Sequence, residues 1–298
     1  MFWVSTSQII VSGILLGGLY ALIGVGLTLI FGVSRIVNIT HGDFVMLGMY
    51  ITFWLYTLFH VDPLFSVFIC FVALFFFGTG AYYLTIRPTL GGSPIMHMFT
   101  TSGLSIAMAN MALFLWKADF RSVTTPYSTT SVNLLGVLIG VPKLIAIGVI
   151  LIVSAGLFLF FKTTYTGRAI RASTQDATAA KLMGVNTDRI SVIAFGIGSG
   201  FAGVAGAILM LIYNVNPSIG LNFLLVAFIV VVLGGMGNIF GALVAGFIVG
   251  VAEVTSGVFL PVALKESVYF IIFILVLVFR PSGLFGLGRG SEELGPSK

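Results

Sequence analysis

The sequence predicts an all-α polytopic membrane protein of about nine transmembrane helices, with its N-terminus outside and its C-terminus cytoplasmic. Three observations carry this. Of the 298 residues, 58% are hydrophobic and 8% charged, whereas soluble domains carry about 25% charge. So little charge requires a chain that buries surface in lipid as well as against itself. Apolar runs of roughly spanning length recur from end to end. Finally, ten of the 14 Lys and Arg residues fall in segments that strict alternation puts on one side, and an excess of basic residues in short loops marks the cytoplasmic side. The net charge of +5 therefore reports orientation rather than nucleic-acid binding.

A spanning helix needs about 20 mainly apolar residues. The candidates are 9–32, 43–59, 64–86, 96–116, 144–161, 190–213, 223–236, 239–259 and 267–279, of which the second, seventh and ninth are shortest. The opening MFWVSTSQII has no basic stretch ahead of its apolar residues. It does not read as a cleaved signal, so the first span is expected to stay. Trp3, Trp54 and Trp116 are expected at the outer interface, where amphipathic rings are favoured. Arg35, Arg87, the basic residues of 162–189, Arg280, Arg289 and Lys298 fall inside. His60 and Asp62 read as a solvated outer turn, and His97 as a solvated inner one. The segment 117–142, rich in Ser, Thr and Val, is expected to fold against the outer face. Gly13, Gly17, Gly18 and Gly24 in the first span, and Gly196, Gly200, Gly203 and Gly206 in the sixth, are spaced for close helix approach. The single cysteine, Cys70, lies in an apolar run and reads as a buried structural thiol.

Residues 162–189, KTTYTGRAIRASTQDATAAKLMGVNTDR, are the most charge-dense stretch between long apolar runs. Residues 168–183 hold good helix formers. Gly184 reads as a C-terminal stop, and Asn186, Thr187 and Asp188 as candidate N-caps for the next span. The stretch is thus expected to be a short cytoplasmic helix clamped between two spans. Ile170, Ala177, Ala180 and Met183 would form an apolar stripe rimmed by Arg168, Arg171 and Lys181. Such a stripe serves either docking on a soluble partner or resting on anionic headgroups.

Two places interrupt the apolar pattern. In VNITHGDFVMLGMY, residues 37–50, the polar Asn38, His41 and Asp43 sit beside Gly42. In GGMGNIFGALVAG, residues 234–246, Gly234, Gly235, Gly237, Asn238 and Gly241 cluster. Irregular backbone at membrane depth survives only when buried in protein or lining a cavity, and interrupted helices point to a transport pathway. The alternative is that both are ordinary cytoplasmic turns, with Asp43 capping its helix. Glu253 lies deep in 239–259 and must pair, protonate or face water. Its candidate partners are His41 and Lys265, and its role is either bundle stabilisation or a place on the pathway.

Three motifs resemble the permeases of high-affinity branched-chain amino acid ABC importers. The first matches G-R-A-x-R-A-x-x-Q-(D/N)-x-x-A-A-x-L-x-G-(I/V)-N at Gly167, Arg168, Ala169, Arg171, Ala172, Gln175, Asp176, Ala179, Ala180, Leu182, Gly184, Val185 and Asn186. The second matches N-x-x-H-G-x-x-x-M-L-G-x-Y at Asn38, His41, Gly42, Met46, Leu47, Gly48 and Tyr50. The third matches L-G-G-x-G-x-x-x-G-A-x-x-G at Leu233, Gly234, Gly235, Gly237, Gly241, Ala242 and Gly246. Together they cover about residues 13–284. The resemblance implies a type II ABC importer-like permease bundle in the bacterial inner membrane. Residues 1–286 would be one permease domain, 162–189 the loop that couples it to an ATPase, and 287–298 a short cytoplasmic tail. It also implies a second related permease chain in a heterodimer, two cytoplasmic ATPase subunits that carry the ATP and Mg, and an extracytoplasmic substrate-binding protein. The substrate class implied is branched-chain or related amino acids, with urea, short amides and aromatic acids as alternatives within the pattern.

No catalytic constellation is present: there is no G-x-x-x-x-G-K-(S/T) loop and no His/Glu metal pair on a helix face. The string GIGSG at 196–200 misses the order of a nucleophile elbow. A stand-alone secondary transporter or channel would want several embedded charges, and a membrane enzyme would want clustered polar residues at one face. Glu253 alone meets the first demand, and nothing meets the second.

Overall fold

The computed structural model describes residues 2–134, 137–261 and 264–286. Every predicted run is helical. The order is α1 (Phe2–Ser34), α2 (His41–Phe59), α3 (Pro63–Ala81), α4 (Pro94–Trp116), β1 (Ser131–Leu134), β2 (Val137–Gly140), α5 (Val141–Thr163), α6 (Tyr165–Gln175), α7 (Ala177–Leu182), α8 (Thr187–Leu209), α9 (Ile219–Gly234), α10 (Ile239–Phe259) and α11 (Lys265–Phe279). A π-helical turn and a 3-10 turn extend α3 to Thr89. Among the described residues, seven helices are long and apolar enough to cross a membrane. Helices α9 and α11, with 16 and 15 residues, are shorter; at 1.5 Å per residue they reach about 24 and 22 Å against a hydrocarbon core of about 30 Å. The second run, expected to be short, is a full 19-residue helix because it starts at His41 rather than Asp43. The all-α expectation is corrected by an antiparallel hairpin in the 117–142 segment, in which Ser131 pairs with Gly140 and Leu134 with Val137.

Helix α1 is the axis of the bundle: 89% of its apolar window is buried, and α8 follows at 83%. Glycine explains how these helices come so close. A methyl group built on Gly13 or Gly17 would lie 3.1 Å from Cα of Val251 or 2.8 Å from Cα of Phe247, both on α10. Gly250 and Gly246 of α10 return the contact onto Gly17 and Ala21. On α8, Gly196, Gly200 and Gly203 share the face against α3, touching Phe75, Phe71 and Leu74, while Gly206 meets the Val45 carbonyl of α2. With no Cβ in the way, backbones meet by van der Waals contact, the interaction that associates helices in lipid. Cys70 is buried at the α2–α3 contact, its thiol within 3.4 Å of the Thr52 hydroxyl.

The two polar segments lie at opposite ends. Gln8 donates to the Leu138 carbonyl of the hairpin (3.5 Å), and Lys143 to the Ser12 hydroxyl (3.3 Å). The 162–189 segment instead meets α1 at Gly32. Twenty residues of helix separate Ser12 from Gly32, about 30 Å, the depth of a bilayer core. At the hairpin end Trp116 stacks on Tyr50 (4.0 Å, 24°). The Arg121 guanidinium lies over Phe53 (5.4 Å) and Trp54 (5.3 Å) and donates to the Trp116 carbonyl (3.1 Å). Trp54 and Trp116 thus share that end.

The 117–142 segment is tied down there by Tyr56 donating to the Thr124 carbonyl (2.8 Å) and Tyr127 donating to Asp62 (2.9 Å). Asp62 is therefore not a merely solvated turn residue: it caps α3 through Leu64 N–H and accepts the Tyr127 hydroxyl. Burial first, and the Asp62 carboxylate next, push the Tyr127 phenol up to about 12. His60 is exposed and ends α2 in a left-handed conformation, φ 52°. His97 is not solvated either; it is buried with Nδ1 at 3.0 Å from the Thr89 hydroxyl. Residues 287–298, with Arg289 and Lys298, and the side chain of Trp3 lie outside the described residues.

Gly250→Leu drives a side chain into the Gly17 backbone. It is expected to cost at least about 1–3 kcal/mol, read as a lower thermal midpoint in detergent. Gly148→Leu on α5, where an added Cβ meets nothing within 4 Å, is expected not to lower it.

Candidate functional site

The basic segment 162–189 is two short helices rather than one. Thr164 caps α6, its hydroxyl accepting from Gly167 N–H (2.9 Å). Gly167 sits so close to the Phe160 carbonyl and Phe161 that no Cβ fits, which sets the tight corner between α5 and α6. The break falls at Asp176 (φ −153°), whose carboxylate accepts from Thr178 and Ala179 N–H (both 2.9 Å) and so starts α7. An Asp ahead of Ala-Thr-Ala-Ala is an N-cap signal within the sequence itself. Gly184 ends α7 as expected, at φ +84°, a conformation that glycine adopts without penalty. Asn186 caps α8 through Arg189 N–H (3.0 Å).

The break also corrects the expected stripe. Ile170 and Ala180 are buried against the bundle, with Gly167, Ala169 and Ser173. Outward face Arg168, Arg171, Ala172, Gln175, Ala177, Ala179 and Lys181. The large exposed apolar groups are Tyr165, Leu182 and Met183, the last two each 84% exposed. A stripe extrapolated at 3.6 residues per turn loses register where the helix restarts.

The break at 35–40 runs back into the bundle. His41 Nε2 lies 3.0 Å from the Ile23 carbonyl, eleven residues before the end of α1 at Ser34 and so about 16 Å up the helix. Asn38, Thr40 and His41 are fully buried, and Asp43 nearly so. This is not an ordinary exposed turn. Its polar backbone is met by α4, with the Thr40 hydroxyl donating to the Thr101 carbonyl (3.0 Å) and the Thr101 hydroxyl to the Val37 carbonyl (3.2 Å). Gly42 lies directly on Gly220 at the start of α9. Asp43 does not cap α2: it sits in the first turn, where its carboxylate faces Ser105 and Gly220 and where negative charge is favoured. His41 Nδ1 and Asn38 Nδ2 have no hydrogen-bond partner among the described residues.

The second break is a tight α9–α10 turn. Gly235 and Gly237 take φ 97° and 87°. Asn238 caps α10 at Gly241 N–H (2.9 Å) and donates to the Phe285 carbonyl (2.8 Å), while Leu284 N–H bonds the Leu233 carbonyl (2.8 Å). Gly234 packs on Gly241 without room for a side chain. The Thr174 methyl of α6 sits between the first helix and this turn: a Cβ on Gly32 would come 2.9 Å from it, and one on Gly237 3.3 Å. The basic segment therefore touches both α1 and the glycine turn.

Glu253 is buried and bound twice. Tyr20 donates to it (2.7 Å), and Lys265 Nζ lies 3.4 Å away. Of the expected partners, Lys265 is chosen and His41 is not. Tyr20, 233 residues away in sequence, carried no signal that pattern reasoning reads. The candidate pathway residues thus occupy three neighbourhoods: Asn38, His41, Gly42 and Asp43 among α1, α4 and α9; Gly234, Gly235, Gly237, Asn238 and Gly241 beside α6; and Glu253 between α1 and α11. Among the described residues, no group of three or more His, Cys, Asp or Glu lies together as a metal site would need.

Comparison with known proteins matches residues 9–277 to the family described as branched-chain amino acid transport system, permease component. The chain is 33% identical to the high-affinity branched-chain amino acid transport system permease protein BraD of Pseudomonas aeruginosa, over 94% of this chain and 95% of that one. It is 32% identical to the corresponding LivH protein of Salmonella typhimurium and 31% to that of Escherichia coli K12, over 92% of this chain and 94% of each. No solved structure matches.

Lys265→Met removes the cation beside the Glu253 carboxylate and leaves the Tyr20 hydrogen bond. It is expected to lower stability by about 1–3 kcal/mol, below the cost of breaking a fully buried pair, because Lys265 is 31% exposed. Glu253→Gln, which removes the charge, is expected to cost less; thermal unfolding of both variants in detergent checks the order.

Proposed function

The chain belongs to the permease-component family of branched-chain amino acid transport systems and is an integral inner-membrane protein; from that premise we propose that it is one of two related permease subunits of an ATP-driven importer for branched-chain or related amino acids. In this reading the nine apolar helices all serve as spans, the N-terminus is outside and the C-terminus cytoplasmic. Two cytoplasmic ATPase subunits bind the ATP and Mg, and an extracytoplasmic binding protein delivers substrate to the Trp54–Trp116 end.

One observation carries the proposal. The segment 162–189 is a pair of short helices joined to α5 through Thr164 alone and to α8 through the four-residue turn 183–186, with Arg168, Arg171, Lys181, Leu182 and Met183 turned outward. Exposed apolar groups within a basic rim suit docking into a groove on a soluble protein. Closure of the ATPase pair would push this lever. The lever's contact with Gly32 and Gly237 through Thr174 would carry the motion to α1 and the α9–α10 turn. The path then runs by Asn38–His41–Asp43 and the glycine turn, opening to one side at a time.

Co-purification with an ATPase and ATP-dependent leucine uptake in vesicles test the reading; stable import by the purified chain alone, without an ATPase, would sink it. The double variant Arg168→Glu, Arg171→Glu is expected to lower uptake at least about tenfold, the effect of about 1.4 kcal/mol at the docking contact, while still assembling in the membrane. Gly32→Ala, which presses on Thr174, is expected to lower transport per ATP severalfold, and adding Thr174→Ala to restore most of it.

A further inference from the structure

Three hydrogen-bond donors are left over at the hairpin end of the bundle. The Tyr50 hydroxyl, Trp54 Nε1 and Arg121 Nε are buried and have no partner among the described residues. They belong to one closed ring of contacts. Tyr50 and Trp54 lie one helical turn apart on α2 and so share a face. Tyr50 stacks on Trp116 (4.0 Å), and the Trp116 carbonyl accepts from Arg121 (3.1 Å). The Arg121 guanidinium in turn lies 5.3 Å from the centre of the Trp54 ring. Arg121 and Asp119 are the charged groups whose fields reach the Tyr50 hydroxyl. The Arg121 backbone is held in place by bonds in both directions with Val215 (3.0 and 2.8 Å).

The partner these atoms want is an acceptor with negative charge. An indole N–H and a guanidinium donate and never accept, and a guanidinium carries five N–H groups, of which the bond to Trp116 uses one. Asp119 is two residues from Arg121 and exposed, yet the one ion pair among the described residues joins Lys265 to Glu253. No carboxylate of the described chain therefore neutralises Arg121 by direct contact. Buried polar groups ordinarily have partners, and a cation leaving water needs an opposite charge. A water molecule would satisfy a donor or two and leave the charge unmet. A carboxylate meets both needs, since its two oxygens take a guanidinium bidentately and keep lone pairs for further donors. Lys117, next to Trp116, holds φ 59° and ψ −172°, a region almost confined to glycine and found at clamps and switches.

We propose that Tyr50, Trp54 and Arg121 form a carboxylate-binding subsite at the hairpin end, where the α-carboxylate of an incoming amino acid pairs with the Arg121 guanidinium and accepts from the Tyr50 hydroxyl and Trp54 Nε1. The inference rests on the importer reading above, which brings an amino acid to this end. The ligand enters as residues 117–128 lift, opening the Tyr56–Thr124 and Tyr127–Asp62 hydrogen bonds. Of the chain's three tryptophans, Trp54 and Trp116 flank the site, so the full chain carrying Trp3→Phe, in lipid nanodiscs, reports binding by its fluorescence. Leucine and isovalerate, which share the carboxylate, are expected to change it saturably. Leucinamide and chloride are expected not to. Tyr50→Phe keeps the ring stacked on Trp116 and removes a hydroxyl that no described residue uses. It is expected to leave the thermal midpoint unchanged and to weaken leucine binding about tenfold, as the loss of one bond to a charged acceptor implies. Arg121→Gln is expected to abolish binding. No response to leucine, an equal response to leucinamide or chloride, or wild-type leucine affinity in Tyr50→Phe overturns the subsite while import continues. Absence of ATP-dependent leucine import in membranes holding the unmodified chain and its partners would instead overturn the importer reading itself.

Discussion

The contact on which the bundle depends is the backbone-to-backbone packing of α1 on α10. Gly17 and Gly250 lie on each other, and Ala21 lies under Gly246. Lipid removes the hydrophobic drive between helices, so association relies on close packing and hydrogen bonds. A stripe of small residues is what lets two long helices come that near. With the pair in place, Gly24 receives Val230 of α9 and Gly26 meets Gly198 of α8. The α8 glycines then admit α3 and α2. The outer helices α4 and α5 touch this core on one side only.

A second constraint follows from the solvent. Backbone polar groups at membrane depth need partners, so a chain that breaks a helix there has to bury the break. The link 35–40 meets this by folding back along α1 and exchanging hydrogen bonds with Thr101 of α4. The α9–α10 turn meets it by two left-handed glycines, an Asn238 cap and bonds to Leu284 and Phe285. Both breaks are closed and well satisfied, apart from His41 Nδ1 and Asn38 Nδ2. Those two buried atoms and the nearly buried Asp43 fall within six consecutive residues, 38–43, at the start of α2.

Helix α6 and the α9–α10 turn are also mechanically one. Thr174 packs its methyl against Gly32 and Gly237 together, and packed contacts of this kind move discretely rather than deform smoothly. Any force on α6 is felt at the Gly32 end of α1 and at the start of α10. Since α10 carries Glu253 and binds Tyr20 and Lys265 through it, a shift of α10 along α1 strains that tie at the far end of the same helix.

The sequence by itself determined what is local. Helical runs, the Gly184 stop, the Asn186 cap, the buried Cys70 and the close-packing glycines are all written within a few residues, because periodicity and capping act over a single turn. The Asp176 cap is equally local, but the strong helix formers around it mask its signal. Tertiary structure alone decided the rest: how far residues 35–40 re-enter, that Tyr20 and Lys265 hold Glu253, and that Ile170 and Ala180 turn inward. It also decided that Thr174 bridges two glycines. These depend on which helices become neighbours, and contacts between groups as far as 233 residues apart are set by packing in three dimensions, which no spacing along one helix encodes.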